Sequence, residues 1–233
     1  YAEQESWKYH GVGKFDIKTG QPLCCSDKED YSAVFGKKLI ELAEKNKNIL
    51  ALTAAMASGT GLLAFQKRFP ERFFDVAIAE QHGVTFSAGL ACQGMVPVFA
   101  VYSTFLQRAY DQIVHDVCMQ NLPVVFAIDR AGIVGADGET HQGIFDIAYL
   151  SHIPNMTLLS PKNKWELEDM LAFAVEFKNP IAIRYPRGIA SEQFQQYRQK
   201  IVYGESEVIQ KGHRVALLAE GHMLTYAAEA AEL

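Results

Sequence analysis

The chain has 233 residues, a net charge of −5 and 49% hydrophobic residues, which is enough for one full core and part of a second and excludes a disordered chain. Charges of both signs are interspersed with no Lys/Arg block, which argues against nucleic acid or an anionic membrane as partner. No apolar run reaches the roughly 18 residues of a membrane span, and no basic start followed by an apolar stretch marks a signal peptide.

In chain order, residues 1–30 begin at Tyr1 rather than Met and carry Gly11, Gly13, Gly20 and Pro22 without periodicity. They read as an interdomain arm of a trimmed or longer protein. From Tyr31, apolar residues recur at helical spacing through Phe35, Leu39, Leu42 and Ala43. Strand-like apolar runs then follow at 49–53, 73–77, 96–102, 124–129, 156–160 and 181–185. Helical patterns lie between most of them, at 81–93, through Leu106, Tyr110, Ile113 and Val117, and at 165–177. Strands that are apolar throughout and alternate with helices predict an α/β fold: a doubly wound, mainly parallel sheet of about six strands, occupying 31–188. Residues 189–206 turn polar and read as a linker. Residues 207–233 read as the start of a further α/β domain, with a strand at 214–219 and a helix at 223–233. The four cysteines, Cys24, Cys25, Cys92 and Cys118, show no C-x-x-C. Neither zinc nor a disulfide framework is expected, and a reducing cytoplasm fits. Cys92 and Cys118 fall on helical patterns and read as small core residues.

Ligands of open parallel sheets sit outside the carboxyl ends of the strands. Here those ends hold Thr53–Met56, Ile78–Gln81, Tyr102–Phe105, Asp129–His141 and Arg184–Arg187, where polar and aromatic residues concentrate. Glu80 opens a predicted helix. An acid there is favoured by the helix dipole, and equally could be a carboxylate presented to a ligand. Phe105 after a strand reads either as core or as a stacking platform. Arg187, beside Pro186, reads on its own as a surface charge.

Three blocks settle on a family in order and spacing: Phe74–His82 (FDVAIAEQH), Tyr102–Gln112 (YSTFLQRAYDQ) and Asp129–Gly143 (DRAGIVGADGETHQG). Together they resemble the pyrimidine-binding domain of the transketolase-like thiamine-diphosphate enzymes. Arg108 and Arg130 make them more similar to the xylulose-phosphate synthases of that family than to transketolases or the β-type components of oxo-acid dehydrogenases. The likeness runs from Tyr31 to Gly188, and the arm His10–Asp16 resembles the segment that precedes this domain.

The resemblance implies that Glu80 contacts a ring nitrogen of the aminopyrimidine and favours the tautomer that removes the thiazolium proton. Phe105 would stack on that ring, with Met56, Ile78 and Arg108 in the same cofactor pocket. Asp137 and His141 would touch substrate oxygens and act in catalysis. Tyr102, Arg130 and Arg187 would hold the phosphate of glyceraldehyde 3-phosphate, the acceptor for a two-carbon unit from pyruvate. The implied product feeds isoprenoid, thiamine and pyridoxal biosynthesis. The family's Mg²⁺ and diphosphate ligands lie in an N-terminal domain that nothing here resembles. The chain is therefore expected to hold half of a cofactor site, with no metal ligands of its own, in a cytoplasmic homodimer. The alternatives left open are a transketolase, an oxo-acid dehydrogenase component, or an inactive pairing module.

Overall fold

A computed structural model describes residues 3, 4, 9, 13–21, 23 and 28–233. Cys24, Cys25 and the His10–Val12 part of the arm lie outside the described residues. Six strands form one sheet: β1 (Ile49–Thr53), β2 (Phe73–Asp75), β3 (Val96–Tyr102), β4 (Val125–Asp129), β5 (Thr157–Leu159) and β6 (Ile181–Arg184). Their order is β2-β1-β3-β4-β6-β5, and every pairing is parallel. The helices are α1 (Tyr31–Lys45), α2 (Leu63–Arg68), α3 (Glu80–Cys92), α4 (Ser103–Leu106), α5 (Tyr110–Gln112), α6 (Asp146–Leu150), α7 (Lys164–Glu176) and α8 (Leu224–Ala231).

Alternation along the strands builds two apolar layers, because successive side chains point to opposite faces. Ala51, Val98, Ala100, Val125 and Ala127 pack with Phe35 and Leu39 of α1 and Leu171 of α7. Leu52, Phe99, Val101, Phe126 and Ile128 pack on the other face with Val84 and Ala88 of α3 and with Ile113 and Val117. Each fully buried Phe, Leu or Val is worth about 1.5–3 kcal/mol, which is why strands that are apolar on both faces settle in the middle of this sheet. Side-chain caps fix the starts of two covering helices. Asp30 accepts from the backbone N–H of Ala33, and Asn163 from that of Glu166.

The two edge strands, β2 and β5, are three residues long and only partly buried. They stop short of the five-residue runs the sequence pattern marks, because an edge strand has one pairing neighbour and, after β2, the chain turns at Ala77 with φ +56°. The helical pattern through 106–117 is not one uniform helix. It winds as α4, a 3-10 turn, α5 and a π turn over Ile113–Cys118. Cys118 is buried, and burial pushes its thiol up to about 12. Cys92, in contrast, is exposed at the last position of α3 rather than in the core.

Beyond β6, Tyr185 and Ala190 still pack into the core, whereas most residues after 190 are exposed. No strand forms at 214–219: Val215 and Leu218 are exposed, and the segment has no paired neighbour among the described residues. An apolar run becomes a strand only where another backbone supplies its ladder. Among the described residues no helix is long and apolar enough to cross a membrane.

Candidate active site

The reversal of strand order lies at β1 and β3, where the chain runs first out to β2 and then back across to β4. Loops at the carboxyl ends of strands diverge there and leave a crevice. The loops after β1, β2, β3 and β4 carry nearly all of the candidate residues.

Glu80 is the first residue of α3. Its side chain is 2% exposed, and Oε1 accepts a 3.1 Å hydrogen bond from Nη1 of the half-exposed Arg108. Its second oxygen, Oε2, is buried with no hydrogen-bond partner. A buried carboxylate oxygen without a donor costs about 1–3 kcal/mol or more, so this position suits a hydrogen-bond donor. Asp75 fastens the loop that delivers Glu80 to the loop that delivers Met56. Its Oδ1 accepts from the N–H of Ala55 at 2.8 Å and of Ala77 at 2.9 Å. Both alanines sit in the left-handed region, with φ +59° and +56°. Non-glycine residues enter that region at a cost, and persist where surrounding bonds hold them.

From Arg108 the contacts run on without a break. Its guanidinium lies 5.3 Å from the Phe105 ring centroid. Phe105 stacks on Tyr102 at 5.9 Å and meets His141 edge-on at 5.2 Å. The Arg130 guanidinium lies 4.2 Å from the Tyr102 ring centroid. Arg130 Nε is 3.4 Å from Asp137 Oδ2, and Asp137 Oδ1 is 2.7 Å from Arg187 Nε. Glu80, Arg108, Phe105, Tyr102, His141, Arg130, Asp137 and Arg187 thus form one connected row along the sheet edge. Met56 is buried in the cluster against which Phe105 and Tyr102 pack. Ile78 stands 76% exposed.

The glycine-rich loop after β4 folds back on itself. Gly132 and Gly143 exchange two backbone hydrogen bonds, of 2.7 and 2.8 Å. A Cβ on Gly143 would stand 2.2 Å from the Arg130 carbonyl oxygen, so only glycine permits this closure. The Gln142 side chain spans the loop, accepting from the Val134 N–H and donating to the Gly138 carbonyl. Thr104 Oγ1 donates to the Thr140 carbonyl at 3.2 Å and so ties the loop to α4. Thr140 Oγ1 is 2.9 Å from His141 Nδ1.

Four residues to which sequence reasoning gave no role hold this row in place: Ser32, Gly59, Asp75 and Asp129. Asp129 closes β4 and is fully buried. Burial pushes its carboxyl up to about 6, against the pull of Arg130 and Ser32. Burial likewise raises the Tyr102 hydroxyl above its ordinary value. A cleft of about 340 Å³ opens beside the row, lined in part by Ser32, Arg130 and Arg187 but not by Glu80 or Phe105. The strand-end positions of Asp75 and Asp129 were a signal available in the sequence. The approach of Ser32 and Gly59, which lie on other elements, was not.

These features define a class. The model of the transketolase pyrimidine-binding domain matches residues 27–192, and the chain belongs to that family. More narrowly, it is similar to 1-deoxy-D-xylulose-5-phosphate synthases. It is 59% identical over 223 residues to that of Lachnoclostridium phytofermentans, covering 96% of this chain and 36% of the relative. It is 53% identical over 233 residues to that of Caldanaerobacter subterraneus, covering all of this chain and 37% of the relative. The chain thus spans little more than a third of the length of these curated relatives. Among solved structures it is similar to a split-gene transketolase, described as an inactive β4 tetramer, with a TM-score of 0.77, 32% identity, and coverage of 88% of this chain and 67% of that one. A Pichia stipitis transketolase in complex with sedoheptulose 7-phosphate shares the fold, with a TM-score of 0.61 at 16% identity, over 69% of this chain and 26% of that one.

Proposed function

We propose that this chain is the aminopyrimidine-binding part of a thiamine-diphosphate-dependent 1-deoxy-D-xylulose-5-phosphate synthase. That enzyme is a transferase condensing pyruvate with glyceraldehyde 3-phosphate and releasing carbon dioxide. The observation that carries the reading is the buried, unpartnered Oε2 of Glu80, joined through Arg108 to the half-buried Phe105 ring. A carboxyl oxygen without a donor fits a ring nitrogen that shares a proton with it, and an aromatic face fits a flat heterocycle. Thiamine diphosphate, when bound, supplies the acidic carbon that takes up the acyl unit of pyruvate and the electron sink for the charge that develops.

The chain's own residues divide the remaining work. Glu80 holds the shared proton, and Arg108 orients its carboxyl. Phe105 stacks on the aminopyrimidine, a contact worth about 0.5–1.5 kcal/mol beyond burial, and Met56 and Ile78 add apolar surface. Arg130 and Arg187, with the Tyr102 hydroxyl, hold the acceptor's phosphate, for which planar guanidinium forks suit the oxygens. Asp137, ion-paired with both arginines, sets their spacing and meets substrate oxygens. His141 shares or moves a proton near the reacting carbonyl.

On this reading, residues 1–30 are an arm, 31–188 the pyrimidine-binding domain, 189–206 a linker and 207–233 the start of a further domain. A backbone pairing between Asp30 and Ile189, at the two ends of the central unit, supports those boundaries. Mg²⁺ and the cofactor's diphosphate are assigned to a part of the enzyme outside this chain, and the enzyme to a cytoplasmic homodimer. The likeness to a split-gene transketolase favours, as a second reading, a transketolase-type pairing subunit. Product analysis on the complete enzyme separates the two. Conversion of pyruvate and glyceraldehyde 3-phosphate to 1-deoxy-D-xylulose 5-phosphate and carbon dioxide is expected. Two-carbon transfer between sugar phosphates without consumption of pyruvate would contradict it.

A further inference from the structure

Arg130 is held in an unusual way for a ligand-binding arginine. Its backbone lies in the left-handed region, φ +57°, a conformation that a residue with a Cβ keeps only when neighbouring bonds enforce it. Asp129, the last residue of β4, enforces it by accepting Arg130's own N–H on Oδ1 at 2.7 Å. The same oxygen is 3.0 Å from Arg130 Nη1. The other oxygen, Oδ2, accepts from Ser32 Oγ at 2.6 Å. Nη1 in turn donates to Ser32 Oγ at 3.1 Å and to the Gly59 carbonyl at 2.6 Å. A Cβ on Gly59 would overlap the Tyr102 hydroxyl, so the same loop fixes the ring on which the guanidinium lies.

We propose that Ser32 and Asp129 are positioning residues that aim Arg130, and through it set the enzyme's preference for a phosphorylated acceptor. The inference rests on the reading of Arg130 as a phosphate ligand. One end of the guanidinium, Nη1, is consumed by the Asp129–Ser32–Gly59 cradle, while Nε, buried and without a hydrogen bond, stands 3.4 Å from Asp137 Oδ2. The cradle therefore decides which edge of the fork remains for an anion. Ser32 reaches it from the first turn of α1, 98 residues away in the chain, and lines the adjoining cleft with Arg130 and Arg187. The carboxylate holds the guanidinium in one rotamer, so little order must be imposed when the anion arrives.

The test is the ratio of kcat/KM for glyceraldehyde 3-phosphate to that for unphosphorylated glyceraldehyde, measured in the complete enzyme. The variants are Ser32→Ala, Ser32→Thr, Asp129→Asn and Arg130→Ala. A general structural defect lowers both values together and leaves the ratio unchanged. Loss of aim lowers the ratio. The expected result is a fall of about tenfold for Ser32→Ala and Asp129→Asn, the size of one charge-assisted hydrogen bond. The KM for pyruvate should stay at its wild-type value, and Ser32→Thr, which keeps the hydroxyl, should restore the ratio. If Arg130→Ala collapses the ratio while Ser32→Ala and Asp129→Asn leave it intact, the positioning role is wrong and the phosphate reading stands. If Arg130→Ala also leaves it intact, the phosphate reading itself fails. Ser32→Ala sits on a partly exposed helical turn and keeps the test available should Asp129→Asn not fold.

Discussion

The loops over the carboxyl ends of β1–β4 and the stretch that follows β6 are both built of non-repetitive chain, yet they behave oppositely. In the first, Asp75, Asp129, Gln142 and Gly143 tie backbone to backbone, and three non-glycine residues, Ala55, Ala77 and Arg130, are held at positive φ. In the second, side-chain ion pairs tie the chain back to the sheet unit, and two of the cations, Lys162 and Arg184, are buried. Lys162 bridges Glu166 and Glu207, Arg184 reaches Glu220, and Arg198 pairs with Asp169. Phe194 at φ +60° is the second stretch's one counterpart among the described non-glycine residues, whereas three such residues cluster over the strand ends, where a rigid sheet lies underneath to hold them. A chain that must present side chains at fixed spacing concentrates its constraints there.

The comparison breaks most visibly in stability. Phe99→Ala, in the middle of β3 and fully buried, is expected to cost about 3–5 kcal/mol. Leu218→Ala, 97% exposed, should cost less than about 0.5 kcal/mol. Denaturant midpoints at constant slope check both, and equal losses would mean that the C-terminal stretch is packed rather than exposed. Next in size, Arg130→Ala and Arg187→Ala should each weaken glyceraldehyde 3-phosphate by about 1.5–3 kcal/mol while leaving the KM for pyruvate in place. Equal losses for both substrates would remove the phosphate role.

Much of the sheet was legible because parallel strands buried on both faces carry their own pattern. The runs at 49–53 and 96–102 coincide with β1 and β3. The edge runs at 73–77 and 156–160 were read too long, since apolarity does not reveal that a strand has only one neighbour. The run at 214–219 misled for the related reason that its apolar residues find no ladder. In the candidate site, Glu80, Tyr102, Phe105 and Arg130 could be picked out because they follow strand ends. Ser32 and Gly59 could not, because their contact with Arg130 is made by folding across 98 and 71 residues. The left-handed alanines were equally hidden, since nothing in an alanine announces positive φ.

A pH series sharpens the picture at Asp129. Its folded carboxyl is pushed by burial from 3.8 to about 6. The folded state therefore binds the proton more tightly than the unfolded state. Stability from this group is present below pH 3.8 and is lost as pH rises towards 6. The thermal midpoint of the wild type should fall relative to that of Asp129→Asn over this window, and a constant difference would place the Asp129 charge in a better-solvated setting. In the C-terminal stretch, Glu207→Gln removes one of two partners of the buried Lys162 while Glu166 keeps its charge paired, and should cost about 1 kcal/mol. Faster amide exchange confined to the residues around 207 would register it.

Glu80 carries the central claim, and hydrogen–deuterium exchange at the thiazolium carbon of thiamine diphosphate bound to the complete enzyme reports on it most directly. Glu80→Gln keeps the size and the hydrogen-bonding reach of the side chain but cannot share the proton. Exchange in that variant should slow by about 10²-fold or more, the scale of a lost acid–base group, with cofactor affinity little changed. Exchange at the wild-type rate would contradict the assignment of Glu80, and with it the reading of the row of residues that begins there.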